Sequence, residues 1–262
     1  MTELDDDIPV LSAESLAALQ EFRDEQKDRL AKFAELYEGA ENEYSSRKEE
    51  GEKSNTDKST QKNTALTIDD FQEDWQLSQF WYSDETANIL ADALLEGADE
   101  NTVICIVSAP SVYAMIKARN PSTLPTQKIY LFEFDRRFAL LSGKDHFGFY
   151  DYNQPEEFRD DLKGKVDRLL IDPPFLEPEC QQKSSLTAKA LLRGDKKAET
   201  ESGDLQYKLI SCTGERMKDN VKRNYPDTRI TTFYPEHKNG LSNEFRCYAS
   251  FECSRWRFSD EN

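Results

Sequence analysis

The sequence predicts an open, mostly parallel α/β sheet that closes with an antiparallel hairpin and carries an N-terminal helical extension. Three observations predict it. Short apolar runs alternate with helical or loop segments across the middle of the chain, the pattern of strands joined by right-handed crossovers. The first of them, "VICIV" at 103–107, is apolar throughout, as expected of a parallel strand covered on both faces. The last two, "RITTFY" (229–234) and "EFRCYASFE" (244–252), are joined by "PEHKNGLSN", in which Asn239-Gly240 is a turn signal.

Taken in order, residues 11–38 place Leu16, Leu19, Phe22, Leu30, Phe33 and Tyr37 at helical spacing, with Ser12 as N-cap. Residues 1–38 therefore read as an acidic helical extension. Residues 39–64 hold one aromatic and no Val, Ile, Leu or Met, too little apolar surface to offset ordering entropy, and read as a flexible linker. The globular domain spans 65–262. Thr67 to Asp70 fits a capping box, and Ser83 caps a helix whose inner face is Ala87, Leu90, Ala91 and Leu94. Strands follow at 103–107, 129–134, 147–150, 166–171 and 207–212, and the polar stretch 193–204 reads as a mobile loop.

Composition bounds the function. With 37% hydrophobic residues, 15 Phe, 11 Tyr and 3 Trp, the 262-residue chain can bury a core. Its net charge of −17 disfavours a phosphate-gripping face and suits a basic protein partner. The five cysteines form no CxxC, and with only His146 and His237 beside them no zinc set is expected. No run approaches the roughly 18 apolar residues of a membrane span, and the acidic N-terminus is not a signal peptide. A cytoplasmic protein away from the membrane, with reduced thiols, is expected.

Ligands of open α/β sheets bind outside the carboxyl ends of the strands. There the sequence places Ser108-Ala109-Pro110-Ser111 after the first strand, Glu133 and Asp135 at the second, Asp151-Tyr152-Asn153 after the third and Asp172-Pro173-Pro174-Phe175 after the fourth. Three successive strands end in carboxylates. In the last group the prolines fix φ and remove two donors. Asp172 and the Pro173 carbonyl then make an acceptor cradle for an amino group, and Phe175 offers a ring face.

D-P-P-F at this position resembles the (D/N/S)-P-P-(Y/F/W) motif of methyltransferases that methylate amino groups with S-adenosylmethionine (AdoMet). Together with "LSAESLAALQEF", "WQLSQFWYS", "VSAPSVY", "IYLFEFDRRFAL", "FYDYN", "CTG" and "NEFRCY", it makes the chain similar to the eukaryotic elongation factor 1A lysine methyltransferases. That family was first labelled N6-adenine DNA methyltransferase-like. The resemblance covers residues 11–27 and about 68–252. It implies a Rossmann-like, seven-stranded class I methyltransferase sheet, AdoMet as co-substrate without a metal, and methylation of a lysine of elongation factor 1A by a monomer that does not use nucleic acid. It assigns Asp172, Pro173, Pro174 and Phe175 to catalysis. The cofactor falls to Ser108, Ala109 and Pro110 in place of a glycine-rich loop, to Asp135 or Glu133 for the ribose (Asp135 preferred), and to Asp151 and Tyr152 for the adenine. Trp81, between Phe80 and Tyr82, is expected to line the cofactor site or the lysine channel. Two other functions stay open at this point: an N6-adenine methyltransferase acting on DNA or RNA, and an inactive nucleoside-binding module.

Overall fold

The computed structural model describes residue 20 and residues 66–74, 77–241 and 243–260. The chain divides into two units, 1–62 and 63–262, and the fold below is that of the second. Apart from residue 20, the helix expected over 11–38 and the linker over 39–64 lie outside the described residues.

Seven strands form one sheet: β1 (Ile104–Val107), β2 (Ile129–Glu133), β3 (Phe147–Phe149), β4 (Arg168–Ile171), β5 (Lys208–Gly214), β6 (Arg229–Ile230) and β7 (Phe245–Ala249). Their order is β3-β2-β1-β4-β5-β7-β6. The first five are parallel; β7 runs antiparallel to both β5 and β6. Helices α1 (Asp84–Leu95), α2 (Pro110–Lys117), α3 (Ala139–Ser142), α4 (Pro178–Leu191) and α5 (Lys218–Asn224) fill the connections. Every residue of β1, β4 and β5 is buried, which is why those strands read as continuous runs. After β3 the chain returns to place β4 beside β1, so strand order reverses there and a crevice opens between their carboxyl ends.

α1 forms as its sequence predicts. The Ser83 side chain accepts the Thr86 N–H, and Ala87, Leu90, Ala91 and Leu94 are buried. Its far end is held from below the sheet. Arg168, the first residue of β4 and fully buried, donates to the carbonyls of Leu94 at 2.8 Å and Glu96 at 2.7 Å. Lys208, the first residue of β5, donates to Glu96 O at 2.8 Å and pairs with Asp204 at 2.6 Å. Cations thus meet the carbonyl end of the helix dipole where water cannot. Asp204 also shapes the polar stretch before it. Gln206 N–H bonds to Ala198 O, Glu199 pairs with Leu205, and the segment is a small hairpin tied to the sheet.

Two local expectations change. The Thr67–Asp70 box forms, the Thr67 N–H donating to the Asp70 carboxylate at 2.8 Å, but it opens a single 3-10 turn at Ile68–Asp70. The closing β6 and β7 pair antiparallel as expected, but a long excursion and not a tight turn joins them. β6 is two residues long; the Thr231 N–H still bonds to Cys247 O at 3.0 Å, and Thr231 and Thr232 then pair with Phe258 and Arg257. The chain then leaves the sheet edge, and residues 236–238 pair with 81–83: Ser83 N–H bonds to Glu236 O at 2.8 Å and Lys238 N–H to Trp81 O at 2.8 Å. Asn239-Gly240 turns this excursion, with Gly240 at φ +66°.

Candidate active site

The crevice at the carboxyl ends of the strands is a cavity of about 710 Å³. Segment 77–81, the ends of β1, β2 and β4, the turn after β3, and His237, Leu241, Asn243 and Phe245 line it.

At β1 the chain turns sharply at Ser108, whose φ of +58° is the left-handed conformation usually left to glycine. Its N–H stays bonded to the Phe132 carbonyl at 2.9 Å, so the turn is locked to β2. Ser108 lines the cavity, whereas Ala109 and Pro110 are buried behind it as the start of α2. Backbone shape is thus kept where the glycine letters are missing.

The two acids at β2 separate. Glu133 is buried on the cavity wall, and its carboxylate accepts the Phe134 N–H at 2.7 Å. Burial pushes its pKa up to about 8, with the neighbouring Asp135 charge adding to the rise. Asp135 points elsewhere. Arg137 grips it at 2.8 Å, Gln79 donates to it at 3.3 Å, and it caps the turn that follows by accepting the Arg137 N–H. Asp151 and Tyr152 line the cavity after β3. The Tyr152 ring meets Phe175 edge-on, with centroids 5.6 Å apart.

At β4 the Asp172 N–H bonds to Val107 O at 3.1 Å, continuing the ladder, and the two prolines then carry the chain along the cavity. Gln181 on α4 donates to the Phe175 carbonyl at 3.3 Å and to the Thr213 hydroxyl at 3.0 Å, tying this turn to β5. Pro178 starts α4 at a position where its missing N–H costs nothing. The Tyr82 hydroxyl donates to Asp172 Oδ2 at 2.6 Å. Burial pushes the Asp172 pKa up to about 7, against the pull of that hydrogen bond.

A family model described as "Probable N6-adenine methyltransferase" matches residues 73–253. Full-length relatives bear another name. "Protein-lysine N-methyltransferase EFM5" of Saccharomyces cerevisiae is 58% identical over 95% of this chain and 94% of its own length. "EEF1A lysine methyltransferase 1" is 36% identical in Homo sapiens, over 96% of this chain and 97% of that one, and 36% identical in Gallus gallus, over 96% and 98%. The chain belongs to the EEF1A lysine methyltransferase family.

As a member of that family the chain carries its D-P-P-F turn beside groups that sequence reasoning passed over. In the sequence Tyr82 is one of three adjacent aromatics; in the structure its hydroxyl meets Asp172. His237, one of the two histidines, lines the cavity with its ring 4.7 Å from that of Tyr82 and 4.6 Å from that of Phe245. Burial lowers its pKa to about 4, only partly opposed by Glu73, so it is neutral at ordinary pH. Arg216 stands exposed at the rim and donates to Leu176 O at 3.0 Å. Trp81 lines the cavity, its indole N–H bonded to Phe71 O at 3.0 Å. Among the described residues no group of three or more His, Cys, Asp or Glu is placed to hold a metal ion, and no helix is long and apolar enough to cross a membrane.

Proposed function

We propose that the protein transfers a methyl group from AdoMet to the ε-amine of a lysine in elongation factor 1A. The observation that carries this reading is one cavity that brings together the acids Glu133 and Asp151 and the Asp172-Pro173-Pro174-Phe175 turn from the ends of three strands. Glu133 and Asp151 suit a nucleoside. With Asp135 held by Arg137, we take Glu133 as the buried acceptor for ribose hydroxyls and Asp151 as the acceptor for an adenine amine. Bound there, AdoMet supplies an electrophilic methyl carbon. Everything else falls to side chains of the protein.

A lysine has an ordinary pKa of about 10.4, so a neutral amine at pH 7 costs about 4–5 kcal/mol. Asp172 and the Pro173 carbonyl accept the amine hydrogens and aim its lone pair, and holding it in place supplies much of the acceleration. An acceptor whose pKa stands near 7 is also a better match for the departing proton than an ordinary aspartate. Phe175 and Tyr152 give the aliphatic stem an aromatic wall. The net charge of −17 favours a basic protein surface over a polyanion. A monomer that meets its substrate in the cytoplasm completes the reading.

The test is tritiated AdoMet with purified elongation factor 1A, DNA or RNA as acceptor. Label is expected in the protein alone, lost when one lysine of it is replaced by arginine. Robust labelling of adenine, lost in Asp172→Asn, would instead establish the nucleic-acid activity that the matched family model is named for.

A further inference from the structure

We propose that Tyr82 is a positioning residue that keeps the Asp172 carboxylate aimed and ionised at neutral pH. Three observations meet at this pair. Their contact joins residues 90 positions apart at 2.6 Å, and the phenol ring is only 1% exposed. Tyr82 has little freedom to leave: its backbone bridges to His237, the flanking Ser83 and Trp81 are hydrogen-bonded to Glu236 and Lys238, and its ring lies against the His237 imidazole. The partner atoms also divide the carboxylate. Tyr82 takes Oδ2, which stops rotation and leaves Oδ1 to meet the amine.

The electrostatics give this donor a task. Asp172 is faced by Tyr82 from the segment before α1, by Glu133 at the end of β2, by Cys180 on α4 and by Cys212 on β5. None of these is a cation. Burial pushes the Cys180 thiol up, and the hydrogen bond with Cys247 and burial push that of Cys212 up, so both stay protonated; the Asp172 charge adds to the rise at Glu133. Among the described residues the phenol is thus the facing group whose hydrogen bond favours the charged carboxylate. Burial holds the Tyr82 pKa well above its usual value, so it remains a donor over the whole working range. A hydrogen bond from a buried hydroxyl to a carboxylate is strong enough to move a carboxyl pKa by about one pH unit or more.

The experiment compares wild type with Tyr82→Phe, which keeps the ring, its stacking and the backbone pairing. Asp172 is followed by carboxyl NMR with labelled aspartate, its signal assigned by its loss in Asp172→Asn. The titration midpoint is expected to rise by about one pH unit in Tyr82→Phe. Turnover per KM is expected to fall about tenfold at pH 7 and to recover to within about threefold at pH 9.5, where Asp172 ionises without help. Affinity for 5′-methylthioadenosine should stay within about twofold. An unchanged midpoint with a loss equal at every pH would overturn the proposal and leave Tyr82 a packing residue. If Tyr82→Phe fails to fold, 3,5-difluorotyrosine at position 82, a stronger donor, should lower the midpoint; no movement would again overturn it. The turnover arm rests on the lysine reading, but the NMR arm needs no substrate. A moved midpoint in an enzyme that leaves elongation factor 1A unlabelled would sink that reading and keep this one.

Discussion

Glu133 and Asp135, two residues apart at the end of β2, are sorted by Arg137: its guanidinium takes Asp135 at 2.8 Å and leaves Glu133 as the acid on the cavity wall. Glu133→Gln should therefore weaken 5′-methylthioadenosine binding by about 1.5–3 kcal/mol, roughly ten- to hundredfold, because it removes a charged acceptor. Asp135→Asn should leave that affinity within about threefold while lowering the melting temperature. Calorimetry on both variants decides between them, and the reverse ranking would return the ribose to Asp135.

Nucleoside binding should depend on pH. Free Glu133 has its pKa raised to about 8, and hydroxyl donors favour its ionised form, so the pKa falls on binding and a proton is released. Affinity should rise between pH 6 and 8, by at most about tenfold per pH unit, and flatten above. 5′-Methylthioadenosine is a suitable probe, since it has no group titrating in that window. Calorimetry in buffers of different ionisation enthalpy counts the proton directly, and an equal heat in all of them would contradict the assignment.

The same acid should make the free protein less stable as pH rises. The folded pKa of about 8 lies above the unfolded value of about 4.3, so the folded state holds a proton that the unfolded state gives up. That contribution is complete below pH 4 and is lost progressively up to pH 8. Glu133→Gln removes the dependence, so its advantage over wild type should grow by about 2–4 kcal/mol between pH 4 and 8. Urea unfolding at the two pH values reads it, and parallel stability curves would refute it.

Two glycines near the site should respond differently to alanine. A Cβ on Gly214 would stand 2.8 Å from Leu176 Cδ1, the tip of a side chain that can swing into the cavity. Gly214→Ala should cost little stability and reduce turnover on elongation factor 1A several-fold, with nucleoside affinity nearly unchanged. A Cβ on Gly148 would stand 2.4 Å from the fully buried Phe132 ring, which has nowhere to go. Gly148→Ala should cost about 1–3 kcal/mol of stability, an overpacking penalty measured by urea unfolding.

The parallel strands and α1 were legible because burial on both faces writes long apolar runs and a capped helix writes its own spacing. The site was half legible. Asp151 and Asp172 follow from strand ends alone, and the D-P-P-F turn from its prolines. Glu133 against Asp135 was not, since both lie where an acid belongs and it is Arg137, arriving from the next turn, together with Gln79 that separates them. Tyr82 and His237 were hidden for a different reason: they meet across 155 residues through a bridge between two irregular segments, which no periodicity marks. Arg168 and Lys208 were passed over inside strand runs, because their partners are carbonyls, which have no letter in a sequence.

Those carbonyls give α1 the mechanics of a rod fixed at both ends. Its twelve residues span about 18 Å. At the far end Arg168 and Lys208 hold the carbonyls of Leu94 and Glu96; at the near end the Glu236 carbonyl accepts the Ser83 N–H and the Glu236 N–H donates to the Thr86 hydroxyl. A rod so fixed cannot tilt by itself, and both walls of the cavity are fastened to its near end. Heating should therefore not open the site ahead of the sheet. Loss of nucleoside binding and loss of the fold should follow one melting curve, and cutting the far anchors should be felt at the mouth of a cavity they never touch.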